Sequence, residues 1–130
     1  MSTDTIVLFG ESERGDYRIP YYCRSMHQLY ENLGQPAPDS EGIHFAVQAL
    51  LHDFYLIFFR VKEEGYSYQD YYEGFWQLEQ RPLESRLSAI CIPGVGNCEV
   101  IESVSSLCVN HRSILIMSES DFYDYLTDAA

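Results

Sequence analysis

Apolar positions along the chain fall into two kinds of run, short unbroken ones and longer ones spaced at helical intervals. Thr5–Phe9 (TIVLF) is apolar throughout and closes on Gly10, the pattern of a buried strand. Pro20 suits the first turn of a helix, and Tyr22, Met26, Leu29, Tyr30 and Leu33 then share one helical face up to a capping Gly34. Gln35–Ser40, with two prolines, is a loop. Ile43, Ala46, Val47, Leu50 and Leu51 predict a second helix over 41–52. Tyr55–Val61 is a second strand, apolar on both faces and broken by Gly65. Ser67 and Asp70 read as a capping pair for a third helix, whose aromatic stripe is Tyr68, Tyr71, Tyr72, Phe75 and Trp76 and whose end is Arg81-Pro82. Leu87–Ile92 is a third strand. After the Pro93-Gly94-Val95-Gly96 turn, Asn97 caps a fourth helix carrying Val100, Val104, Leu107 and Cys108. Ser113–Met117 is a fourth strand, and Ser118–Asp121 opens a last helix with Phe122, Tyr125 and Leu126.

Strands apolar on both faces and separated by helix-length segments imply a parallel sheet covered by helices. The predicted fold is a small α/β domain over 1–130. Its sheet is mostly parallel and four-stranded, with helices on both faces and right-handed crossovers, in a doubly wound, flavodoxin-like or Rossmann-like arrangement.

Charge narrows the partners. Eight basic against twenty acidic residues leave −12 in 130 residues, with seven arginines and a single lysine, Lys62. Such a balance repels a phosphate backbone and an anionic membrane surface, so neither nucleic acid nor membrane is an expected partner. Met1–Thr5 has no positive charge ahead of the short Ile6–Phe9 run, which does not resemble a signal peptide, and the expected location is cytoplasmic. Cys23, Cys91, Cys98 and Cys108 lack Cys-x-x-Cys spacing and read as free thiols. The four histidines show no metal-ligand spacing, so no metal and no cofactor is expected.

Candidate chemistry gathers where the strands end, since ligands of open parallel sheets sit outside their carboxyl ends. Gly94 and Gly96 before Asn97 would let backbone N–H groups approach an anion, though a tight strand-to-helix turn needs the same glycines. Arg14 and Arg18, in the loop after the first strand, could grip a carboxylate or phosphate, and Glu11 could act as an acid or base; mutual surface salt bridges are the plainer reading. Cys98 at a helix N-terminus is a weak nucleophile candidate beside Glu99. Glu63, Glu64 and Glu73 could supply paired carboxylates. A strand, a glycine break and a helix bearing Glu73-Gly74 is similar in outline to nucleoside deoxyribosyltransferases, but that family's Gly-Pro after strand one and its Asp/Gly motifs are missing, and no family is assigned.

Two features point to a surface. Eleven tyrosines suit an interface, because a tyrosine packs with its ring and keeps a polar tip. Asp121, Asp124 and Tyr125 belong to an acidic, aromatic last helix fitted to a basic partner. The expected function is therefore a small interaction or regulatory module that binds a partner protein through an acidic, tyrosine-rich surface. The alternative is a small-ligand domain or enzyme acting on a nucleotide-like or phosphorylated compound at the strand ends through Arg14, Arg18, Gly94, Gly96 and Asn97.

Overall fold

The computed structural model describes residues 4–35, 40–80 and 86–127. In chain order the elements are β1 (Thr5–Gly10), β2 (Pro20–Cys23), α1 (Met26–Leu33), α2 (Gly42–Leu51), β3 (Tyr55–Arg60), α3 (Tyr68–Gln80), β4 (Leu87–Cys91), α4 (Cys98–His111), β5 (Ile114–Ile116) and α5 (Glu119–Thr127). They form one five-stranded sheet in the order β2-β3-β1-β4-β5. The four strands read from the sequence all pair in parallel, β3 with β1, β1 with β4, and β4 with β5. β1 and β4 are buried along their whole length, as central strands covered on both faces must be.

The sheet is mixed rather than four-stranded and parallel, because β2 adds an antiparallel edge against β3. The sequence places a helical first turn at Pro20. A proline also fits the first residue of an edge strand, where its missing N–H breaks no ladder, and that is where Pro20 sits. The helix starts later, at Met26. Ser25 Oγ accepts from the Gln28 N–H at 3.2 Å, and Gln28 Oε1 accepts from the Arg24 N–H at 2.7 Å. This is a variant of the Ser-x-x-Gln capping box. Gly34 ends α1 at a φ of 80°, its N–H donating to the Tyr30 carbonyl.

Ser67 and Asp70 do not cap α3 as a pair. Ser67 Oγ bonds back to Glu63, while Asp70 Oδ2 accepts from the Lys62 N–H. Asn97 and Ser118 do cap their helices, accepting from the N–H groups of Val100 and Asp121. The helix end expected at Arg81-Pro82 lies outside the described residues, as does the loop expected at 35–40 apart from its two ends.

Alternation along the strands splits the core in two. Val7, Phe9, Ile57, Phe59 and Ile90 face α3 and α4, meeting Tyr71, Phe75, Val100, Val104 and Leu107. Ile6, Leu8, Leu56, Phe58 and Ala89 face α1, α2 and α5, meeting Leu33, Ile43, Ala46 and Phe122. Phe122 of α5 stacks on Phe45 of α2 with ring centroids 4.5 Å apart. Helices therefore cover both faces. Among the described residues, no helix is long and apolar enough to cross a membrane.

Candidate functional site

Close backbone packing builds the strand-end region. A Cβ on Gly10 would fall 2.6 Å from the Gly42 Cα, so the end of β1 touches the start of α2 backbone to backbone. That contact brings the first N–H groups of α2 to Glu64, in the loop after β3. Glu64 Oε1 accepts from the Glu41 N–H at 2.9 Å, and Oε2 accepts from Ser40 Oγ at 2.6 Å, the Glu11 N–H at 2.8 Å and the Gly42 N–H at 3.3 Å. Glu11 reciprocates, its Oε2 accepting from the Glu64 N–H at 2.9 Å. One carboxylate thus takes the free donors of a helix N-terminus, the place where an open α/β sheet otherwise meets an anion.

The next loop joins from β4. Gly65, at a φ of 89°, lies so close to Gly94 that a Cβ would fall 2.3 Å from the Gly94 carbonyl oxygen. The Gly65 N–H donates to the Tyr71 hydroxyl at 2.7 Å inside the core. Burial pushes the Tyr71 phenol well above its usual range; the Gly65 bond pulls it back, and the carboxylates of Glu64, Glu11 and Asp70 push it up again. Loops from three strand ends therefore do meet, through Glu11, Glu64, Gly65 and Gly94.

The two arginines go elsewhere. Arg14 reaches the C-terminal end of α1, Nη2 donating to the Tyr30 carbonyl at 2.7 Å and Nε to the Glu31 carbonyl at 3.2 Å, with its guanidinium over the Tyr30 ring. Arg18 pairs through Nε with Asp70 Oδ1 at 3.0 Å, and its carbonyl accepts from Gln77 Nε2 at 2.8 Å. Both contacts fasten it to α3. Arg60, at the end of β3, donates to the Gly15 carbonyl and stacks over Tyr17, holding the same loop from the other side.

The remaining candidates scatter. Gly96 has open space around it, Asn97 is taken up by its cap to Val100, and Cys98 is an exposed free thiol at the start of α4. Cys23, Cys91 and Cys108 are free and buried. Asp121 and Asp124 are exposed on α5, whereas Tyr125 is partly buried, its ring 5.7 Å from that of Phe54. No three His, Cys, Asp or Glu side chains among the described residues are grouped as a metal would need.

A second region brings two of the sequence candidates, Arg18 and Glu73, together at a place the sequence does not predict. α3 overhangs the edge strand β2, and between them runs an open groove of about 680 Å³ lined by Arg18, Ile19, Pro20, Tyr22, Glu73, Trp76, Gln77 and Gln80. Pro20 and Tyr22 stand opposite Phe59 and Ile57, so they share the α3 side of the sheet, while Cys23 and Tyr21 turn to the other core. Glu73, Trp76, Gln77 and Gln80 follow i, i+3, i+4, i+7 spacing on α3, a stripe distinct from the buried Tyr71, Phe75 and Leu78. The aromatic stripe of this helix is thus divided between core and solvent. Trp76 is 57% exposed and Tyr22 56%.

No protein-family model, curated protein or solved structure matches this chain. Site chemistry alone carries the functional reading. Of the residues that build these two regions, the sequence places Ser40 at the end of a loop and gives Glu64 only a generic carboxylate role. The legible signal for the groove was Tyr22 and Trp76 at positions where burial and exposure look alike from spacing.

Proposed function

We propose that this chain is a protein-interaction module that engages a basic partner surface through its acidic, tyrosine-rich exterior. The carrying observation is the distribution of aromatic side chains: Tyr17, Tyr22, Tyr30, Tyr66, Tyr68, Tyr123 and Trp76 all stand exposed on a molecule of charge −12. Large amphipathic rings at a charged surface are the usual composition of an interface. The strand ends support the same reading from the other direction. Glu64 accepts the donors of α2 there, while Arg14 caps α1 and Arg18 pairs with Asp70 of α3, so the groups suited to a small anion are already engaged within the molecule.

An immobilised peptide array of graded net charge tests the proposal. Retention is expected to rise with peptide positive charge and to fall with added salt, as contacts between exposed charges do. The D121K/D124K double variant is expected to retain basic peptides less. Charge-independent retention would overturn the proposal. So would a saturable thermal shift with a nucleotide or sugar phosphate that vanishes in R14A/R18A, a shift worth about 2.7 kcal/mol at a hundred times the dissociation constant.

A further inference from the structure

We infer that the groove between β2 and α3 receives an arginine side chain of the partner protein, its guanidinium lying on the Trp76 and Tyr22 rings and paired with Glu73. The inference rests on the interaction-module reading and adds the chemistry of its anchor point.

Three observations carry it. First, the groove has aromatic walls and one available carboxylate. Among the described residues, Glu73 makes no hydrogen bond or ion pair, and neither the Trp76 nor the Tyr22 ring has a stacking or cation partner. Second, the cation that also lines the groove is matched. Arg18 sits 3.0 Å from the buried Asp70 carboxylate, which leaves Glu73 to set the sign of the local charge, and the whole molecule carries −12. Third, the molecule already uses this pairing. The guanidinium groups of Arg24 and Arg60 each lie 4.5 Å from a tyrosine ring centroid, over Tyr55 and Tyr17, and that of Arg14 lies 5.3 Å from Tyr30.

Geometry favours a guanidinium over an ammonium. A planar cation stacks on a ring face and still presents N–H groups in its own plane to a carboxylate, whereas an ammonium is a compact, strongly hydrated point charge. Glu73 and Trp76 are three residues apart on α3 and so neighbour each other on one helix face. A ring and a carboxylate placed this way meet the face and the edge of one guanidinium.

Trp76 is the single tryptophan of the chain, so its emission reports the groove directly. The probes are blocked Gly/Ser nonapeptides with one central arginine, citrulline, lysine or glutamate. The arginine peptide is expected to change Trp76 emission saturably. Citrulline, which keeps the shape and loses the charge, is expected to bind at least about tenfold more weakly, a difference of about 1.4 kcal/mol. Lysine is expected to fall between them. E73Q, with an unchanged melting temperature as the check on its fold, is expected to bring arginine down to the citrulline level, and Y22A to weaken both. Equal binding of arginine and citrulline, equal binding of arginine and lysine, tighter binding of glutamate, or no emission change up to the solubility limit of the arginine peptide would each overturn the inference. If the groove fails in this way while array retention still depends on Asp121 and Asp124, the anchor falls and the interaction module stands.

Discussion

Gly94 and Gly96 show how little a local motif says about its own residues. Gly94 adopts a φ of 83° with its carbonyl pressed against Gly65, while Gly96 has no heavy atom within 4 Å of where a Cβ would stand. G94A is therefore expected to cost about 1–2 kcal/mol, the penalty of left-handed backbone for an L-residue, and G96A to stay within about 0.5 kcal/mol. Chemical denaturation of the two variants checks this, and equal losses would contradict it. Cys108 offers a pH test at the same scale. Burial pushes its thiol from 9.0 up to about 11. The unfolded chain releases this proton first, so the folded state binds more protons across that window and loses stability as pH rises through it. Below about pH 9 the contribution is fully present. Burial raises the Cys91 thiol in the same direction, so C108A is expected to flatten the alkaline fall in melting temperature only in part. An unchanged slope in C108A would show that Cys108 carries none of it.

At the scale of elements, the fastening of α2 is the feature with the largest stake. Its N-terminus, the β1 end and the loop after β3 converge on one carboxylate that accepts four hydrogen bonds. Bonds to a charged acceptor are each worth more than neutral ones, and deleting the acceptor strands several donors together. E64A is expected to destabilise the protein by about 2–3 kcal/mol, with a lower denaturant midpoint at unchanged slope. E64Q is expected to lose less, since one oxygen still accepts while its NH₂ faces donors. A loss below about 0.5 kcal/mol in E64A would show that water replaces the carboxylate. The Ser25-x-x-Gln28 start of α1 is a capping signature in the sequence, but Pro20 and the Tyr22–Leu33 periodicity point to an earlier start.

Across the whole molecule, the two faces of the sheet are covered unequally. α1, α2 and α5 pack on one face and α3 and α4 on the other, where Tyr22 of β2 and Trp76 of α3 stand in solvent. A four-residue strand spans about 13 Å and a thirteen-residue helix about 20 Å, so β2 cannot underlie the full length of α3. The groove between β2 and α3 lies on this face. Its aromatic lining and the acidic exterior place the expected salt-sensitive, arginine-directed binding on the side of α3 that carries Glu73.

The sequence by itself determined the four parallel strands, because runs apolar on both faces are stable only between two helical layers. It also determined the caps at Asn97 and Ser118, whose side chains act within three residues. Tertiary structure decided the rest. Whether Tyr21-Tyr22-Cys23 joins a helix or an edge strand depends on β3 being there to pair with it. Which face of the aromatic α3 is buried depends on where the sheet stops. Glu64 meets Glu11 across 53 residues and Arg18 meets Asp70 across 52, and no local pattern encodes such separations. Short-range chemistry is written in neighbouring residues; the pairing of distant polar groups follows only once the packed core has set their distance.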